Sequence, residues 1–129
     1  MTDDELLDAA RAVREHAHCP YSNFRVGAAL VDDNGAIHVG CNVENVAYPQ
    51  GSCAEAGAIS TMVAAGGNRI VTIAVAGGED GTRACPPCGG CRQRIHEFSD
   101  SETRIIFKND DGEWQSCSID ELLPSSFHL

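Results

Sequence analysis

Apolar side chains near the N-terminus recur at the spacing of a helix. They run from Leu6 to Ala17 behind a capping box that begins at Thr2, and they predict a first helix over residues 3–17. Pro20 has no backbone N–H and disfavours helical geometry in the residue before it, so we expect the helix to end before this position.

The following segment changes to the alternating pattern of strands. Apolar residues alternate over 24–31, and a second run over 36–44 follows an Asn34-Gly35 turn, which predicts a β-hairpin. Next come a helix over 53–65, with Ala58, Ile59, Met62 and Val63 facing inward, and an apolar strand over 70–76. The last elements are a helix from Cys91 to about Phe98, strands over 103–108 and 113–117, and a helical turn from Ser118 to Pro124.

This order of elements predicts fold class α/β. We expect a three-layer sandwich with one mixed five-stranded sheet, formed by a single domain that covers residues 1–129. The strand over 70–76 is almost wholly apolar, so it should lie at the centre of the sheet with both faces buried.

Charge and cysteine content narrow the range of functions. The chain has 9 basic and 19 acidic residues, and its net charge of -10 disfavours a nucleic acid polymer as partner. No apolar stretch could cross a bilayer and the acidic N-terminus does not resemble a signal peptide, so we expect no membrane partner. Seven cysteines, an odd number, favour a cytoplasmic location, where clustered cysteines more often bind metals or act in catalysis than form disulfides.

Three of the cysteines form two overlapping Cys-x-x-Cys pairs in the stretch ACPPCGGCRQ. The two prolines between Cys85 and Cys88 favour extended geometry, which would separate these residues by roughly 9 Å. A helix that begins near Cys88 would instead bring Cys88 and Cys91 to one face, so these two are the better metal-binding pair. A redox-active dithiol is the alternative for such a pair.

A third ligand is available at the start of the second predicted helix, where Cys53 is followed by Glu55. Helix N-termini stabilise thiolates, and three sulfur ligands leave one zinc position open for water, as in catalytic sites. Glu55 is then placed to exchange protons with that water. In the competing interpretation Cys85 is a fourth ligand, Glu55 is a surface carboxylate, and the site is a structural zinc module.

The pair of motifs Cys53-Ala54-Glu55 and Pro87-Cys88-Gly89-Gly90-Cys91-Arg92-Gln93 resembles the zinc-dependent cytidine deaminases of the small, three-cysteine type. The stretches YSNFRVGAAL, GCNVENVAYPQGSCAE and ELLPSSF extend the resemblance over nearly the whole chain. It implies a cytidine-deaminase-like fold, one Zn²⁺ per chain, a homotetramer, and hydrolytic deamination of cytidine and deoxycytidine in pyrimidine salvage. Another cytosine nucleoside, such as a nucleoside antibiotic, is the alternative substrate.

The resemblance also implies roles for individual side chains. Glu55 would be the catalytic proton carrier, with Cys53, Cys88 and Cys91 as zinc ligands. The substrate-binding residues carried over by position are Phe24 beside the base, Asn42 and Glu44 on the ribose hydroxyls, Tyr48 in the pocket wall, the main chain of Ala54 on the pyrimidine, and Phe127 contributed by a neighbouring subunit.

One position departs from the family pattern. The three-cysteine members usually carry an arginine after Cys-Ala-Glu, and this chain has Ala56. Zinc with three thiolates has a net charge of about -1, and we hypothesise that Arg92 compensates it. The five histidines have no metal-like spacing to the cysteines, and we expect all of them at the surface.

Overall fold

Five strands form one mixed sheet, and helices cover both of its faces. The computed structural model describes all residues from Met1 to Leu129. The elements are α1 (Asp3–Arg14), β1 (Val26–Asp32), β2 (Ile37–Cys41), α2 (Ala54–Ala64), β3 (Ile70–Gly77), α3 (Gly89–Glu97), β4 (Arg104–Lys108), β5 (Trp114–Cys117) and α4 (Ile119–Leu122), with a 3₁₀ turn over Tyr48–Gln50. No helix combines the length and the apolar character needed to span a membrane.

The strand order in the sheet is β2-β1-β3-β4-β5. Neighbouring strands are antiparallel except β3 and β4, which run parallel. A parallel pair requires a crossover connection, and here the connection contains α3. The predicted α/β class with one mixed five-stranded sheet is therefore confirmed.

Two hydrophobic clusters lie on opposite faces of the sheet. On one face Leu6 and Ala10 of α1 pack on alanines of β1 and β3. On the other face Ala58, Ile59 and Met62 of α2 are buried, as predicted. Val63 was expected inward as well, but it is 50% exposed because it lies on the outer side of α2.

The contact between β2 and α2 depends on Gly40. A Cβ at this position would lie 2.6 Å from the carbonyl oxygen of Ala54 and would also overlap the backbone nitrogen of Ala58. The opposing residue of the helix is Gly57, where a Cβ would meet the Cα of Gly40 at an ordinary 3.5 Å. Glycine at position 40 therefore allows the first turn of α2 to lie directly against the strand.

Two predicted elements end three residues earlier than the sequence patterns indicated. Helix α1 ends at Arg14 and continues as a turn of i→i−3 backbone hydrogen bonds through Ala17, after which the backbone of His18 pairs with Asn42 and Glu44 at 3.0 and 2.7 Å. The second strand likewise ends at Cys41, and Val43 forms isolated bridges instead. These pairings place the chain after β2 against the chain after α1.

His38 contradicts the expectation that all histidines lie at the surface, since only 7% of it is exposed. Its Nε2 lies 2.8 Å from Oδ2 of Asp32, across the β1–β2 hairpin. Asp32 also accepts hydrogen bonds from the backbone N–H groups of Asn34 and Ala36 at 2.8 and 2.9 Å. The hydrogen bond with His38 is the main cause that holds the pKa of Asp32 below its ordinary value.

Candidate active site

Three cysteines meet where the N-termini of α2 and α3 approach each other. Cys53 is the N-cap residue of α2, Cys88 is the N-cap residue of α3, and Cys91 lies in the first turn of α3. Their sulfur atoms all lie within 4.8 Å of one another. Helix α3 begins at Gly89 rather than near Cys91, and this earlier start gives Cys88 and Cys91 the spacing of one helical turn.

The three thiols are electrostatically linked. The hydrogen bond with Cys91 is the main cause that lowers the pKa of Cys53 to about 6, and the same interaction raises the pKa of Cys91. Thiolate ligands of a tetrahedral zinc ion lie roughly 4 Å apart. The donor set and its spacing therefore fit a zinc ion, with three soft ligands supplied by two helix N-termini.

Glu55 lies one helical position beyond the N-terminal residue of α2 and is only 4% exposed. Burial raises the pKa of its carboxyl group, and the charge of the neighbouring Cys53 acts in the same direction. A carboxyl group with a raised pKa can hold and release a proton closer to neutral pH, as general acid–base catalysis requires.

A cavity of about 380 Å³ opens beside this group. Its wall includes five of the six residues predicted to bind substrate: Phe24, Asn42, Glu44, Tyr48 and Ala54. The sixth, Phe127, is 71% exposed and does not line the cavity within its own chain. The size of the cavity lies within the range typical of small-molecule sites.

Glu44 is held by the loop between α1 and β1. Its Oε1 accepts hydrogen bonds from the backbone N–H groups of Tyr21 and Ser22 at 3.0 and 3.2 Å, and its Oε2 accepts one from the Ser22 hydroxyl. The Ser22 hydroxyl is the main cause that lowers the pKa of Glu44, so the carboxylate is ionised and fixed in orientation. Sequence reasoning missed this role of Ser22, because the contact joins residues 22 positions apart.

Asn42 is fixed through both ends of its amide. Its Oδ1 accepts a hydrogen bond from the backbone N–H of Val26 at 2.9 Å, and its Nδ2 donates to the carbonyl of Phe24 at 2.8 Å. These bonds attach the end of β2 to the start of β1. Phe24 is further covered by the guanidinium of Arg83, whose central carbon lies 5.0 Å from the ring centroid.

Cys85 lies in the cavity wall, outside the three-thiol group. Burial raises its pKa to about 12, which keeps it a neutral thiol at physiological pH. The interpretation of a four-cysteine structural site gains no support from this position.

The hypothesis that Arg92 compensates the thiolates is wrong in its geometry. The Nε of Arg92 donates to the Pro87 carbonyl at 2.8 Å, and its Nη1 donates to the Leu122 carbonyl at 2.9 Å. The arginine that contacts the group is Arg94, whose Nη1 lies 3.8 Å from the Cys91 sulfur. Its position one helical turn after Cys91 was the available signal in the sequence.

A mixed sheet that holds three thiols at two helix N-termini, beside a buried carboxylate, defines a zinc-dependent hydrolase of the deaminase type. The profile of the "Cytidine and deoxycytidylate deaminase zinc-binding region" matches residues 1–107. The chain belongs to this deaminase family.

Curated proteins similar to this chain are named as cytidine deaminases. It is 39% identical to a cytidine deaminase of Halalkalibacterium halodurans over 98% of this chain and 95% of that protein. It is 42% identical to a probable cytidine deaminase of Dictyostelium discoideum over 98% of this chain and 86% of that protein.

Solved structures of cytidine deaminases have the same fold as this chain. The cytidine deaminase of Burkholderia pseudomallei superposes with a TM-score of 0.88 at 41% identity, covering 98% of this chain and all of that one. The enzyme of Mycobacterium tuberculosis gives 0.87 at 35% identity, with both chains fully covered. The likeness therefore extends over the whole chain rather than over the cysteine motifs alone.

Proposed function

We propose that this protein hydrolyses cytidine and deoxycytidine to uridine and deoxyuridine with release of ammonia, as a step of pyrimidine salvage. One observation carries the proposal: Glu55 is buried beside the three-thiol group in the wall of a nucleoside-sized cavity. The named activity of the relatives, at 39 and 42% identity over nearly the whole chain, supports the same reaction.

Cys53, Cys88 and Cys91 are the proposed ligands of one zinc ion per chain. When bound, zinc supplies an activated water as the nucleophile for hydrolysis. Cys53 is the N-cap residue of α2 and Glu55 lies in its first turn, so the position of this one helix end sets both. Cys85 takes no part in ligation in this scheme.

Glu55 moves the protons of the reaction. It accepts a proton from the attacking water and passes it to N3 of the cytosine ring. It then takes a second proton from the hydroxyl group added at C4 and gives it to the departing amine, which leaves the C4 carbonyl of uridine. Water adds at C4 and ammonia leaves, so cytidine and one water give uridine and one ammonia. The raised pKa of Glu55, caused mainly by burial, suits a group that must both accept and donate.

The nucleoside is bound by fixed polar groups and one aromatic ring. Asn42 and Glu44 line the cavity on one side, and we assign them to the ribose hydroxyls. Phe24 lies beside the base, and the main chain of Ala54 contacts the pyrimidine at the N-terminus of α2. Tyr48, 75% exposed at the cavity entrance, covers the substrate from outside.

Assembly into a homotetramer completes the site in our proposal. Phe127 is exposed in the single chain, as are Tyr21, Ile37, Val39, Val46 and Tyr48. Exposed apolar groups of this size favour association, and Phe127 of one subunit would enter the cavity of another. We also propose a cytoplasmic location, where the seven free cysteines stay reduced.

The test uses purified protein with a measured zinc content. Incubation with cytidine should give uridine and ammonia in equal amounts, and cytosine nucleosides with altered sugars should react more slowly. Glu55→Gln should keep one zinc per chain and lose about 10²–10⁴-fold in turnover. Glu102→Gln, which changes an exposed carboxylate in the same way, is the matched control. Zinc-loaded protein that leaves cytidine unchanged would refute the proposal.

A further inference from the structure

The side chain of Arg94 reaches the three-thiol group from the surface. Arg94 follows Cys91 by three residues on α3, so both side chains lie on one face of the helix. Its Nη1 lies 3.8 Å from the Cys91 sulfur, within hydrogen-bonding distance for a sulfur acceptor. The guanidinium therefore contacts a proposed metal ligand directly.

Gly90 leaves the space in which this guanidinium lies. A Cβ on Gly90 would be 3.3 Å from Nη1 of Arg94 and 4.0 Å from the sulfur of Cys88. The charged end of Arg94 and the sulfur of Cys88 therefore both lie next to Gly90. Ala56 on α2 lines the same surface depression as Arg94, and its small side chain leaves the depression open.

The contact between Arg94 and Cys91 joins groups of opposite charge. Three thiolates and one Zn²⁺ leave a formal charge of about -1 on the group. Arg92, the other arginine on α3, donates its hydrogen bonds to the carbonyls of Pro87 and Leu122. Arg94 brings a permanent positive charge, because a guanidinium does not deprotonate in proteins.

We propose that Arg94 is a positioning residue that neutralises the three-thiolate metal group and strengthens its hold on zinc. The inference rests on the ligand set proposed above. Arg94 does not line the substrate cavity, so its effect passes through Cys91 rather than through contact with the nucleoside. A hydrogen bond to sulfur also fixes the orientation of the ligand, as groups that support metal ligands commonly do.

The test is a zinc competition titration with a chromogenic chelator, at one pH. Arg94→Ala should bind zinc about 10–100-fold more weakly than the wild type, the usual cost of losing a group that supports a metal ligand. Arg94→Lys keeps the charge without the planar fork, so its affinity should fall between those two. Arg104→Ala is the control, since it removes one exposed arginine paired with Asp3 of α1.

Each result decides the inference. Equal zinc affinity in Arg94→Ala and the wild type would overturn it, as would an Arg94→Lys variant as weak as Arg94→Ala or an equal loss in Arg104→Ala. Arg94 is exposed, so the variants should fold, and thermal unfolding of the zinc-free forms checks this. A separate measurement tests the proposed zinc ligands: if Cys88 is not a ligand, Cys88→Ser will retain full zinc affinity.

Discussion

Replacing Gly40 by alanine tests how strictly the fold positions the active site. The new Cβ would lie 2.6 Å from the carbonyl oxygen of Ala54, whereas an ordinary contact needs 3.4 Å or more. The tightest contact would be 2.4 Å to the backbone nitrogen of Ala58, so strand and helix must separate by about 1.0 Å, because the opposing atoms belong to backbone and cannot rotate away. Gly40 does not have a left-handed φ angle, so the contact alone is perturbed.

The displaced helix is α2, which carries Cys53 at its N-cap and Glu55 in its first turn. Overpacking of this kind costs about 1–3 kcal/mol, which for a chain of this size lowers the melting temperature by roughly 4–12 °C. A misplacement near 1 Å can lower turnover by about 10²-fold. We expect Gly40→Ala to lose both stability and activity, measured by thermal unfolding and by cytidine turnover at full zinc loading.

Gly57→Ala is the matched control on the other side of the same contact. Its Cβ would meet its neighbours at 3.5 Å or more, and alanine favours the helix by about 1 kcal/mol over glycine. This variant should keep its activity and melt at the same or a higher temperature. A Gly40→Ala protein with wild-type melting and turnover, or a Gly57→Ala protein equally damaged, would show that this close approach does not position α2.

Four further variants test other parts of the structure. Cys85→Ser should retain one zinc per chain by metal analysis while Cys88→Ser does not, and zinc loss in Cys85→Ser would restore the four-cysteine interpretation. Phe127→Ala should raise the KM for cytidine more than it lowers kcat, and an unchanged KM in a tetrameric variant would remove Phe127 from the site. Asp32→Asn should unfold at lower denaturant concentration than the wild type near neutral pH. Folding lowers the pKa of Asp32, so the stabilisation from its ionised carboxylate is present above pH 3.8, the ordinary pKa, and is lost as the pH falls below that value. The stabilities of the two proteins should therefore converge at acidic pH.

Local patterns were sufficient for the parts of the site that lie within one helical turn. The spacing of Cys88 and Cys91, and the placement of Cys53 two residues before Glu55, follow from helix geometry alone. The strand over 70–76 was identified by its continuous apolar run, and β3 is the central strand of the sheet. These features need no information about distant residues.

Features that depend on contacts between distant residues were not predicted. The chain after α1 pairs at His18 with Asn42, 24 positions later in the chain. The orientation of Arg92 depends on a carbonyl at Leu122, which no local pattern connects with it. The pair of His38 and Asp32 spans a tight hairpin, and the turn signal at Asn34-Gly35 could have indicated it.

The hydrogen bonds around Glu44 have a thermodynamic consequence for the nucleoside that we propose as substrate. Three donors from Tyr21 and Ser22 already immobilise the carboxylate before any ligand arrives. Ordering a mobile side chain on binding costs about 0.5–1.5 kcal/mol, and here that entropy is lost during folding instead. A carboxylate fixed in this way also cannot move to follow a displaced hydroxyl group of the sugar. An epimer whose hydroxyl group points away from Glu44 must therefore bind without the hydrogen bond to this carboxylate.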